Sequence, residues 1–224
     1  LNLMRTIFNY SPKLGYEGSN PAGKGVTRFE ETSRDRFLQE SEMRAFFNAL
    51  QKLKQPWRDY ISLLLYTGQR KNTVAAMRWQ DLDMEGNVWR IPRPKNKKFT
   101  TIPLTLPAIH ILEARRVEQE DDCEWVFPSR NGGHLRDARK PWCELLKDAG
   151  LENLHLHDLR RSVGSWQARM GASLVVIGAS LGHADLKSTQ IYSRLQNDDV
   201  RNSMDAAVGA MQGENAGRRH ARRT

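Results

Sequence analysis

Cysteine is scarce in this 224-residue chain: Cys123 and Cys143 stand far apart and form no CxxC pair. A disulfide framework is excluded, redox chemistry is not indicated, and both read as small core residues of a protein held in a reducing compartment. Long apolar runs are missing too. No stretch approaches the ~20 residues a helix needs to span a bilayer, and no signal-peptide pattern opens the chain. The sequence starts at Leu1, so it reads as a segment that begins inside a longer protein. Internal repeats are absent, which excludes solenoids and propellers. Acidic residues are in deficit, 26 against 35 lysines and arginines, for a formal charge of +9.

With 39% hydrophobic and 27% charged residues, the composition is that of a globular protein able to build a core. Part of the charge is a tail: residues 213–224 hold four arginines against one glutamate, leaving +6 on the rest. A body that stays basic without its tail suits a polyanionic partner, since phosphate contacts release condensed counterions.

Apolar spacing places helices along most of the chain. Leu3, Ile7, Phe8 and Leu14 lie on a helix-like run ending near Gly15, which we read as the last helix (1–16) of a preceding domain, followed by a linker (17–36). Glu40-Ser41-Glu42 opens a helix carrying Met43, Phe46, Phe47, Leu50 and Leu53. Pro56 starts another, which stops at Gly68, and a third is expected from about 72 to 79. The period then changes. Val88 to Pro92 and Thr101 to Leu104 alternate as two strands of a hairpin with a basic tip, Lys95-Asn96-Lys97-Lys98, and Trp125-Val126-Phe127 reads as a third strand. Helix returns at 106–118 and again from Ala138 onward. The expected class is mainly α with a small antiparallel β-sheet (α+β), in a domain of 37–197. A C-terminal helix (198–212) and a disordered basic tail (213–224) follow.

Four clusters carry chemistry. Arg70, after Thr67-Gly68-Gln69, is by itself an ordinary cation at a helix C-terminus; paired with a second arginine it becomes half of a phosphate clamp, because a guanidinium fork matches phosphate oxygens. Lys95 can donate a proton to a leaving oxygen, and Lys97 and Lys98 compete for that task or serve as phosphate anchors. His157 and Arg160 are i, i+3 on the first turn of a helix and point the same way. A buried His–Arg pair without an anion is costly, which favours a shared anionic ligand, although His157 could instead cap the helix while Arg160 pairs with a nearby carboxylate. His183, in Leu181-Gly182-His183, and Tyr192 supply a hydrogen-bond donor and a nucleophile.

Arginine, lysine, His-x-x-Arg, Gly-His and tyrosine in this order resemble the catalytic signature of the tyrosine recombinases, the phage-integrase family. The resemblance runs from about Arg36 to Asn197. It rests on Thr67-Gly68-Gln69-Arg70 with Met77-Arg78-Trp79-Gln80-Asp81-Leu82-Asp83, on Lys95 with Thr101-Ile102-Pro103-Leu104, on His157-Asp158-Leu159-Arg160-Arg161, and on Leu181-Gly182-His183 with Tyr192. It resembles most the integrases of prophages and genomic islands. Two positions depart from the pattern: Thr73 stands where many members carry a supporting glutamate, and Arg161 where histidine is frequent.

The resemblance implies a site-specific recombinase that cuts and rejoins double-stranded DNA through a 3′-phosphotyrosine at Tyr192, without metal, ATP or other cofactor. Arg70 and Arg160 then hold the non-bridging oxygens, and Lys95 protonates the departing 5′-oxygen. His157 accepts the Tyr192 proton or donates a companion hydrogen bond, and His183 donates to the phosphate. Two nearby arginines are expected to favour the Tyr192 phenolate. Arg78, Lys97, Lys98, Arg161 and Arg194 are expected to contact DNA. The full-length protein is expected to act as a homotetramer on DNA with accessory bending or directionality proteins, in the bacterial cytoplasm at the nucleoid, with no membrane partner. Its C-terminal helix is expected to pack on a neighbouring protomer, folding back being the alternative. Three rivals remain: a catalytically idle DNA-binding relative, a type IB topoisomerase-like enzyme, and a metal-dependent nuclease using His155, His157, His183 and Cys143.

Overall fold

The computed structural model describes residues 1–23, 26, 35–93, 98–119, 122–183, 188–196, 204–205, 207–209 and 211. The chain divides into two compact units, Leu1–Asp35 and Arg36–Thr224. In the first, helix α1 (Asn2–Tyr10) runs into a 3₁₀ turn, Ser11–Leu14, closed by Gly15 at φ +83°. Arg5 ties the following loop back by donating Nε–H to the Ala22 carbonyl at 2.8 Å. Leu3, Ile7 and Leu14 are exposed on this unit.

The second unit is helical around one small sheet. Helices α2 (Glu40–Lys52), α3 (Trp57–Thr67), α4 (Lys71–Ala75), α5 (Leu106–Glu118), α6 (Arg139–Ala149), α7 (Leu156–Arg169) and α8 (Leu174–Leu181) are joined by strands β1 (Leu82–Asp83), β2 (Val88–Arg93) and β3 (Lys98–Pro103). The strands pair antiparallel in the order β1-β2-β3. Register places Trp89 opposite Ile102, and both are buried.

Local signals explain the boundaries. The Glu42 carboxylate accepts the Gln39 backbone N–H at 2.8 Å, which satisfies a donor that the first turn of α2 leaves over. Its apolar face buries Phe46, Ala49 and Leu50. Asp158 does the same for α7, accepting the His155 N–H at 2.8 Å. Ser173 Oγ accepts the Val176 N–H to start α8.

Phe46, Leu50, Ile61, Leu63, Leu64, Met77, Trp89, Leu112, Phe127 and Leu145 belong to the main core, the aliphatic and phenylalanine side chains each contributing about 1.5–3 kcal/mol on burial. α3 lies central, packed on α5 and α7. The α7 helix is pinned at its middle: Ser162 Oγ accepts the Leu38 N–H at 2.8 Å, and Trp166 Nε1 donates to the Leu38 carbonyl at 3.1 Å. A second apolar cluster joins Ala168 on α7, Ile177 and Leu181 on α8, and Tyr192.

Three expectations are corrected. The third strand is β1, not 125–127; Trp125 makes an isolated bridge with Arg78. Helix α4 ends at Ala75, because the chain must turn to deliver Met77 to the core and Arg78 to that bridge. Cys143 is exposed and Cys123 only half-buried, so neither is a core residue. No described helix is long and apolar enough to cross a membrane. Of the segment 198–212, only Met204, Asp205, Ala207, Val208, Gly209 and Met211 are described, and their backbone is helical.

Candidate active site

Three helix ends converge on Gly68. Helix α3 stops there in the left-handed conformation, φ +62°, and a Cβ at this position would meet Leu181 Cδ2 at 2.7 Å and Val163 Cγ1 at 3.2 Å. Glycine is demanded twice, by the backbone and by the crowding. The freed carbonyl of Gly68 accepts Nη1–H of Arg160 at 2.9 Å. Gln69, buried, donates Nε2–H to the Ser180 carbonyl at 2.9 Å and so ties this corner to α8. Arg70, exposed, is the N-cap residue of α4, whose first turn is held by the Tyr60 hydroxyl donating to the Lys71 carbonyl.

Helix α7 brings in His157 and Arg160. Arg160 is only 3% exposed, and its Nη2 is buried with no hydrogen-bond partner among the described residues. Burial and the neighbouring Arg70 bring its pKa down to about 10. The carboxylate alternative for Arg160 is not what the structure shows; its partner is a backbone carbonyl. Nor does His157 cap the helix, since His155 holds the N-cap position. Burial first, then Arg160 and Arg161, hold the His157 pKa below the usual imidazole value. Arg161 lies 3.8 Å from the Asp158 carboxylate and also acts on Tyr192.

His183 follows Gly182, which ends α8 at φ +63°. Burial, Arg160 and Arg70 bring its pKa down to about 4, so the ring is neutral near pH 7. The ring Nδ1 lies 2.8 Å from the hydroxyl of Thr189, a fully buried residue. Tyr192 sits in the 3₁₀ segment Gln190–Gln196 with its ring against Gly164 of α7; a Cβ there would lie 2.4 Å from Tyr192 Cζ. This close seat explains a glycine inside a helix, where it costs about 0.5–1 kcal/mol relative to alanine. Tyr192 is 3% exposed, and burial raises its pKa above the ordinary phenol value. Arg160 and Arg161 pull it down, the direction expected of them, but desolvation outweighs them, so the resting group is a protonated phenol and needs a proton acceptor.

Arg70, His157, Arg160, Arg161, His183 and Tyr192 therefore form one electrostatically coupled cluster. Arg160, a buried cation with an unused donor and Arg70 beside it, has hydrogen-bonding capacity suited to an anion with several oxygens. Arg78 has other partners, Glu124 at 3.1 Å and the Trp125 ring at 4.6 Å. Lys95 and Lys97 lie outside the described residues, as do the side chains of Lys98 and Arg194. Thr73 is half-buried in α4 and donates its N–H to the Arg70 carbonyl. No group of three or more His, Cys, Asp or Glu residues poised to hold a metal occurs among the described residues. Sequence reasoning gave no role to Gln69, Gly164 or Thr189. A glutamine beside a motif arginine and a mid-helix glycine were visible but carried no role by themselves; Thr189 offered nothing beyond its nearness to Tyr192.

The fold is shared with the Tn1549 transposon integrase solved in complex with circular intermediate DNA, at a TM-score of 0.70 and 17% identity, over 92% of this chain and 78% of that one. Residues 36–198 match the phage integrase family, and the chain belongs to it. The prophage integrase IntF of Escherichia coli (strain K12) is 29% identical over 154 residues, 66% of this chain and 33% of that protein. Tyrosine recombinase XerA of Saccharolobus solfataricus is 28% identical over 177 residues, 77% of this chain and 57% of its own length. The chain thus spans between a third and just over half of these relatives.

Proposed function

We propose that this chain carries the catalytic domain (37–197) of a site-specific recombinase that cuts and rejoins double-stranded DNA, integrating or excising a mobile element. The observation that carries the reading is the buried Arg160 Nη2, without a partner among the described residues and held beside Tyr192 under the influence of Arg70. A scissile phosphate fills that vacancy in hydrogen bonding: Arg70 and Arg160 take its non-bridging oxygens and oppose the charge that grows in the pentacoordinate transition state. Tyr192 Oη attacks phosphorus, its proton passes to neutral His157, and the P–O5′ bond breaks. Lys95 delivers a proton to the departing 5′-oxygen, a role that rests on the family's lysine hairpin. The covalent phosphotyrosine conserves the phosphodiester energy, and a 5′-hydroxyl from another strand reverses the step. His183 donates to the phosphate throughout.

Arg161 adds a further phosphate contact, and Arg78, Lys97, Lys98 and Arg194 hold flanking DNA. Residues 1–16 end the preceding DNA-gripping domain, 17–36 link it, 198–212 dock on a neighbouring protomer, and 213–224 form a basic tail. In full length the protein works as a homotetramer with accessory DNA-bending or directionality proteins, at the nucleoid. Thr73, in place of the family's glutamate, leaves the positioning of Arg70 to its backbone contacts. The test is a nicked suicide duplex bearing the cognate site. Wild-type protein is expected to run as a covalent protein–DNA adduct in a denaturing gel and Tyr192→Phe as free protein; an adduct that persists in Tyr192→Phe overturns the assignment.

A further inference from the structure

We propose that Thr189 is a positioning residue that sets the tautomer of His183: its hydroxyl donates to Nδ1, leaving the ring proton on Nε2, where it can be donated to the phosphate. The inference rests on the recombinase reading for its catalytic consequence and on the geometry alone for the hydrogen bond. A neutral imidazole has one donor and one acceptor nitrogen, and the hydrogen bond made by one decides the state of the other. His183 is such a neutral ring, since its pKa is brought down to about 4. Thr189 Oγ1 lies 2.8 Å from Nδ1, and Thr189 has no solvent exposure.

The opposite arrangement, with Nδ1–H donating to Thr189, would leave Nε2 with a lone pair and no proton to donate. That arrangement would also set a lone pair against a phosphate oxygen when DNA binds. The fold makes room for the hydroxyl as well. At Gly178 of α8 an added Cβ would lie 3.0 Å from Thr189 Oγ1, so a glycine one turn before the helix end keeps the hydroxyl in reach of the ring. Thr189 and Tyr192 share the same short segment, and the Tyr192 N–H bonds to the Thr189 carbonyl at 3.0 Å. One residue thereby couples the placement of the phosphate donor to that of the nucleophile.

The experiment records ¹⁵N-histidine spectra of the whole chain near pH 7, with the His183 signals assigned by their loss in His183→Gln, and measures adduct formation on the suicide duplex. The wild type and Thr189→Ser are expected to show the Nε2–H tautomer. Thr189→Val, which keeps the shape and removes the hydroxyl, is expected to show mixed tautomers and to form adduct about 10-fold or more slowly, with Ser restoring the rate. Gly178→Ala, which displaces the hydroxyl without changing either partner, is expected to shift both readouts in the same direction and serves if Thr189→Val does not fold. An Nδ1–H tautomer in the wild type overturns the proposal, as does an unchanged tautomer or an unchanged rate in folded Thr189→Val. Failure of the wild type itself to form adduct would overturn the recombinase reading, and the spectra would still decide the hydrogen bond.

Discussion

Among the described residues two arginines are buried, and they live differently. Arg115 on α5 is 6% exposed, pairs with Asp59 at 3.1 Å, donates through Nε and Nη2 to the Val126 carbonyl, and lies 4.6 Å from the Phe127 ring centroid. Each nitrogen of that guanidinium has a hydrogen-bond partner. Arg160, 3% exposed, has one carbonyl, a neighbouring arginine, two histidines and an unused Nη2. Equal burial thus means opposite things: a satisfied cation is architecture, while a buried cation with an unused donor beside another arginine suits a ligand from outside.

The comparison can be broken experimentally. Asp59→Ala should have the largest effect, since it strands the Arg115 charge; we expect a loss of about 3–5 kcal/mol of stability, seen in denaturant unfolding. A stable variant would mean that Arg115 is not held by that pair. Arg160→Gln should reverse the pattern. Adduct formation should fall about 10²-fold or more, while stability changes by no more than about 1 kcal/mol, because a repelled cation has been removed. Collapse of the fold would make Arg160 structural after all. Gly164→Ala is smaller in scale: helix propensity favours it, yet the new methyl meets Tyr192, an overpacking cost of about 1–3 kcal/mol. Slower adduct formation with no rise in Tm is expected; a Tm gain at full rate would show that the ring has no fixed seat there.

The smallest effect is a proton count. The free protein holds the pKa of His157 and of His183 below the ordinary imidazole value, and an incoming phosphate must raise both. Binding of a short duplex should therefore take up protons and tighten as pH falls from 7 towards 5, measured by calorimetry in buffers of different ionisation heat. Proton release would contradict the cationic pocket. The same depressed values act on the fold with a definite sign: the stability they represent is complete above about pH 6.5 and drains away as pH falls towards 4.

Helices with a clean apolar period were readable directly, and α5 runs over the expected 106–118. So were the hairpin and the first-turn pairing of His157 with Arg160. The misread elements are short ones decided by distant partners: β1 exists because Leu82 and Asp83 find Trp89 and Val88, and α4 ends early because Arg78 bridges to Trp125. Within the site, Arg70, His157, Arg160 and His183, which the structure brings together, could be picked out by type and order, while Lys95 lies outside the described residues. The uncharged scaffold could not, because Gly164 and Thr189 matter through contacts with Tyr192 and His183 that no local pattern encodes. The pull of the arginines on Tyr192 was legible for a related reason: charge is visible in a sequence, whereas the depth of burial that outweighs it is not.

Gly68 gives the site a mechanical character. Its carbonyl grips Arg160 from one side, Arg70 follows two residues later, and Leu181 and Val163 press on it where a side chain would be. The two guanidinium groups thus hang from a single joint, and a disturbance there would move both at once. In a selection experiment, residues 68, 70 and 160 would behave as one heritable locus: changes at the joint would be rescued by neither arginine alone, and compensation would have to come from the methyl groups pressed against it.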